Sequence, residues 1–176
     1  MSIYLRFVPF SGYGHGLFLM YQLTETHQTM KAKKHNPSFP LHVHQPLPRF
    51  HKAIVIDDNE MENQITETIL RACYVAKEIK LESNPHAAIH NLHNIQRLSE
   101  VPELIFVNLH MKSLEKFDFI TEFEGMSDFV KNKCKIIVLS NRNDLEEKQR
   151  VLMNSSVVRY LVKPLDAFQL REFISI

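Results

Sequence analysis

From Lys52 onward the chain repeats one unit: a short, almost wholly apolar run, a polar turn, then a stretch whose apolar residues recur every three or four positions. The runs are Lys52–Ile56, Ala76–Leu81, Leu104–Leu109, Lys135–Leu139 and Val157–Val162. Most of them lack the alternation of a half-solvated strand, which is the pattern of strands covered on both faces. Between them, Ile65, Ile69, Leu70, Cys73 and Tyr74 fall at helical spacing, and helices are expected over Pro85–Leu98, Leu114–Phe123, Asp144–Met153 and Asp166–Ile174. Strand, helix, strand with connections of this length predicts an α/β protein built on a doubly wound, five-stranded parallel sheet.

At 176 residues the chain has room for one such domain over 51–176 and an extension over 1–50. The extension differs in kind. Three of the four glycines lie at Gly12, Gly14 and Gly16, and five of the eight prolines lie between Pro9 and Pro48, so neither helical nor strand periodicity persists and an irregular segment is expected. Its apolar stretch is too interrupted to span a bilayer and lacks a small-residue cleavage site, which argues against membrane and export. With 21 basic and 20 acidic residues there is no excess of positive charge for neutralising nucleic acid. Cys73 and Cys134 are too few for a disulfide framework and sit in apolar-periodic stretches, as buried free thiols do, which fits a cytoplasmic protein.

In sheets of this kind ligands bind beyond the carboxyl ends of the strands, where strand order reverses. Those ends carry Asp57 and Asp58 after the first strand, Asn108 after the third, Ser140 after the fourth and Lys163-Pro164 after the fifth. With Pro102 to Phe106, Phe117 to Phe119, Cys134 to Ser140 and Tyr160 to Leu165, this arrangement resembles the receiver domain of two-component response regulators over 52–176, in the stand-alone form common in Bacteroidetes-like bacteria. The resemblance implies a flavodoxin-like fold and a role in phosphorelay signalling. It implies a Mg²⁺ site at Asp57, Asp58 and the backbone carbonyl of His110. It also implies a phosphoryl contact at Ser140 and Lys163, a switching aromatic at Tyr160, and partners such as a sensor histidine kinase, a phosphotransfer protein or another regulator. With no output domain read after the fifth helix, output is expected through contacts of the fourth helix, fifth strand and fifth helix.

Asn108 departs from that pattern. The family's residue here is an Asp, whose carboxylate takes the phosphoryl group; an amide is a poor nucleophile, and it removes a negative charge from the metal site, so Mg²⁺ is expected to bind weakly and the site to be silent to phosphorylation. Lys112 and Lys116 replace a usual Pro and Gly, and Asn154 or Ser155 a usual Gly, where Asn tolerates a left-handed backbone.

Other chemistries find little support. His86, His90 and His93 share a helical face without a Cys or carboxylate at ligand spacing, and His42 and His44 have no better claim to a metal. There is no glycine-rich phosphate loop after the first strand, and Ser140 lies in no nucleophile motif, so no enzyme activity is expected. The alternative to a signalling domain is an α/β scaffold in which Asp57, Asp58 and Lys163 form a structural charge cluster.

Overall fold

The computed structural model describes residues 47–114 and 118–174. Five strands form one parallel sheet: β1 (Phe50–Ile56), β2 (Ala76–Glu82), β3 (Leu104–Asn108), β4 (Lys135–Ser140) and β5 (Val157–Val162), in the order β2-β1-β3-β4-β5. That is the flavodoxin-like order, and it places the reversal point between β1 and β3. The expected doubly wound sheet is therefore present. The irregular extension, His42, His44 and Lys116 lie outside the described residues, apart from 47–50, where Phe50 already opens β1.

Alternate side chains of β1, β3, β4 and β5 feed two cores. Ala53, Val55, Leu104, Phe106, Ile137, Leu139 and Leu161 point to one face, where they meet Leu70 of α1 (Glu60–Ala72) and Leu170 of α6 (Ala167–Ile174). Ile54, Ile56, Ile105, Val107, Ile136, Val138 and Tyr160 point to the other. There they pack against α2 (Pro85–His93), α3 (Asp118–Glu124), α4 (Asp128–Lys133) and α5 (Leu145–Leu152). The three central strands are buried along most of their length, which is why their sequences read as unbroken apolar runs. The edge strand β2 is different: its exposed positions carry Lys77, Glu78 and Lys80.

Helix starts follow from their caps. Asn59 accepts from the amides of Met61 and Glu62, Asn84 from that of Ala87 with Pro85 in the first turn, and Asp144 from that of Glu147. The end of α1 is a Schellman turn, in which Val75 N–H donates to the Leu70 carbonyl and Tyr74 N–H to that of Arg71. Tyr74 fills the left-handed position usually given to glycine, with φ 53°. Asn154 needs no such conformation; its side-chain oxygen instead accepts from Ser156 N–H at 2.9 Å.

Three helix expectations need correction. The second helix ends at His93 and not Leu98, because Asn94 caps it and a separate 3₁₀ turn forms at Leu98–Glu100. The third begins at Asp118 and not Leu114, since 112–114 form a turn beside the site. Before Cys134 the chain forms α4, a helix absent from those expected. Cys134 is buried, donates its thiol to the Pro102 carbonyl, and is pushed up to about 12 by burial, whereas Cys73 at the end of α1 is only half-buried.

Candidate functional site at the carboxyl edge of the sheet

The register brings the strand ends level. Ile56 pairs with Val107 and Asn108 with Leu139, so Asp57 and Asn108, one step beyond the first pair, emerge side by side. The backbone of Asp57 is fixed from below: Asn63, 2% exposed, donates its side-chain amide to the Asp57 carbonyl at 2.7 Å, and one Asp57 carboxylate oxygen accepts from Asn59 N–H at 3.0 Å. The turn that caps α1 thus also orients the acid. From the opposite side, Lys163 leaves β5 through a bond in which its own N–H donates to the Ser140 carbonyl at 2.8 Å.

These residues line a hollow of about 370 Å³ bounded by Asp57, Asp58, Asn108, His110, Lys112 and Lys163, with Asn59, Glu60, Glu62 and Asn141 at its margin. Lys163 donates to Asp57 Oδ2 in a short ion pair, and Glu62 lies 3.6 Å from the same ammonium. Both side chains of the Asp57–Lys163 pair are almost fully buried. Their mutual attraction offsets the desolvation that either charge would suffer alone. Asp58 Oδ2 accepts from Lys112 N–H at 2.6 Å, so the residue in the usual Pro position supplies a donor that Pro lacks. Asn108 is 4% exposed, and its side-chain oxygen accepts from His110 N–H at 3.3 Å.

The oxygen donors at this edge, from Asp57, Asp58, Asn108 and the His110 backbone, are the hard ligands that suit Mg²⁺. Among the described residues no group of three or more His, Cys, Asp and Glu could hold a metal ion. A divalent ion here would rest on two carboxylates, neutral oxygens and water, and would compete with Lys163 for Asp57.

Ser140 and Tyr160 are not part of the hollow's wall. Both are buried, and both turn toward Glu147 on α5. Glu147 Oε1 lies 3.0 Å from Ser140 Oγ, 2.7 Å from the Tyr160 hydroxyl and 3.2 Å from His110 Nε2. Burial raises the Tyr160 phenol above its usual range; the Ser140 hydrogen bond lowers it by less than burial raises it, and the Glu147 carboxylate adds to the rise. Sequence reasoning missed Glu147. Asp144-Leu-Glu-Glu147 reads as a capping box, whose acid at the third helical position ordinarily reaches back to the cap. The one available signal was that this acid sits one turn before Val151 on the buried stripe of α5. The histidines of α2 do not converge: His86 Nε2 meets the Ser113 carbonyl at 2.9 Å, His90 Nε2 meets Asn94 at 3.2 Å, and His93 lies 3.9 Å from Glu122.

A fold of this kind has solved counterparts. The two component response regulator from Cytophaga hutchinsonii is 25% identical, with a TM-score of 0.65 over 72% of this chain and 95% of its own. The response regulator receiver protein from Dyadobacter fermentans is 21% identical, with a TM-score of 0.63 over 71% and 95%. The chemotaxis response regulator CheY4 of Vibrio cholerae is 18% identical, with a TM-score of 0.57 over 72% and 97%. No curated protein matches the sequence. The response regulator receiver domain matches residues 53–175, which span every strand but the first residues of β1, and the chain belongs to that family.

Proposed function

We propose that this receiver domain signals by contact with other proteins, without catalytic chemistry of its own, and is not phosphorylated at the family's usual position. The observation that carries this reading is Asn108, an amide held in the wall of the hollow where an acyl phosphate would require a carboxylate. Asp57 is a poor substitute acceptor, because Lys163 and Asn59 N–H already occupy its two oxygens. Asp57, Asp58 and the His110 carbonyl would hold Mg²⁺, with lower affinity than a site bearing a third carboxylate. Partners of the expected kinds are a sensor histidine kinase, a phosphotransfer protein or another regulator, met through α5, β5 and α6.

The test is intact-mass measurement of the natural chain and its Asn108→Asp variant after incubation with acetyl phosphate and Mg²⁺. A phosphoryl mass on the variant alone supports a receiver pocket silenced by one residue. A phosphoryl mass on the natural chain defeats the silent-site reading and points to Asp57 or Asp58. No mass gain on either favours the scaffold alternative, for which the existing Asp57–Lys163 ion pair is the supporting feature.

A further inference from the structure

Asp57 and Glu147 are the buried carboxylates among the described residues. Asp57 is met by Lys163, as its position on the hollow leads one to expect. Glu147 is met by two hydroxyls and an imidazole that come from three different strands: Ser140 at the end of β4, Tyr160 within β5 and His110 from just beyond β3. A carboxylate placed on the apolar side of an amphipathic helix is costly unless it is hydrogen-bonded, and the contacts to Glu147 Oε1 offset part of that cost.

The cluster also pins the loop between β4 and α5. Ser140 Oγ accepts from Arg142 N–H at 3.1 Å while giving its own proton to Glu147. The Tyr160 hydroxyl, with one proton to give, lies 2.7 Å from Glu147 Oε1 and 2.8 Å from the Arg142 carbonyl. Arg142 is therefore held at both of its backbone groups although the residue itself is exposed. His110 extends the same network to the hollow, since its backbone N–H is bonded to Asn108 and its ring to Glu147.

Resting on the receiver reading above, we propose that Glu147 is an internal acceptor that latches Ser140, Tyr160 and the Arg142 loop inward, fixing the α5–β5 face without a phosphoryl group. Bonds to a carboxylate in a water-poor site are among the stronger ones; Ser140 and the His110 ring meet one Glu147 oxygen, and the single Tyr160 proton is shared between that oxygen and the Arg142 carbonyl, which couples the contacts. Burial of Tyr160 follows from the same contacts: the ring fills the core beside Val138, and the hydroxyl finds its partner at the far end.

The test uses the full chain with ¹³C-labelled tyrosine, Tyr160 being assigned by its loss in Tyr160→Phe, together with amide hydrogen exchange at Arg142. No phosphodonor is present. In Glu147→Ala the Tyr160 ring signals should shift and average, and Arg142 exchange should quicken by about tenfold, the factor set by freeing the Ser140 hydroxyl that holds the Arg142 amide and so losing one hydrogen bond. Glu147→Gln keeps one acceptor oxygen and the side chain's volume; it should fall between, and it serves if the alanine variant does not fold. Tyr160 signals and Arg142 exchange that stay within about twofold of the natural chain in the variants that fold would overturn the latch. The two proposals fail separately. A phosphorylated natural chain whose Tyr160 still responds to Glu147→Ala loses the silent site and keeps the latch; a silent chain whose Tyr160 ignores Glu147 does the reverse.

Discussion

The two buried carboxylates among the described residues, Asp57 and Glu147, are treated in opposite ways. Asp57 opens onto a polar hollow and is balanced by a full positive charge from Lys163, with Glu62 competing for the same ammonium. Glu147 is sealed between α5 and the sheet and is balanced by dipoles and an imidazole. An ion pair at the rim can be opened by an incoming cation, because water and a new ligand can replace what is lost. A carboxylate tied to three strands cannot be released without disturbing all of them. The hollow is thus the place where this domain can exchange partners, and the Glu147 cluster the place where it holds shape.

The comparison can be broken most forcefully at Lys163. Lys163→Met leaves Asp57 buried and uncompensated, and the expected loss is about 3 to 5 kcal/mol in urea unfolding. Adding Asp57→Asn to the same chain should return most of it, and Mg²⁺ should return part of it to the single variant. A loss under about 1 kcal/mol would mean that the pair behaves as a surface contact and that the two carboxylates differ less than proposed.

Smaller effects sharpen the other half. Ser140→Ala and Tyr160→Phe should each cost about 1 to 2 kcal/mol, and together less than their sum, because both donors share one Glu147 oxygen. Strict additivity in a double-mutant cycle would count against a shared latch. The slightest effect should appear in alkali. The Tyr160 phenol is raised in the folded chain, so unfolded chains ionise first as pH climbs past 10.0, and stability conferred by Tyr160 is present below that value and lost above it. Cys134 adds a loss of the same sign, beginning near 9.0 and running to about 12. Urea midpoints followed from pH 8 to 11 should therefore fall for the natural chain and fall less steeply above pH 10 for Tyr160→Phe, the Cys134 contribution being common to both.

The fold was legible because parallel strands buried on both faces leave short apolar runs such as Leu104 to Val107, and here five of them, bounded by polar turns, alternate with helical spacing. The hollow was legible for a related reason: residues that terminate such runs must gather at one edge, so Asp57, Asp58, Asn108 and Lys163 could be placed together from order alone. What lay beyond the sequence depended on side-chain direction. Glu147 carries the spacing of an ordinary helix-start acid, and only the packing of α5 on β5 shows that it faces inward. Ser140 was placed at the correct strand end, yet a hydroxyl chooses among neighbours by torsion, and its neighbour here is Glu147. Helix boundaries shifted at Asn94 and Asp118 because short caps and turns outweigh weak periodic signals over a few residues.

The two edges of the sheet also differ in how they would meet another backbone. Lys77, Glu78 and Lys80 line β2, and Glu78 is in reach of Lys52 and His51, so a strand approaching this edge must strip water from several charges at once. Within β5, by contrast, Arg159 is the single charge in Val157–Val162. Folded copies are consequently discouraged from zipping together at β2, and at the other edge Arg159 is the one charge within β5 that opposes such pairing.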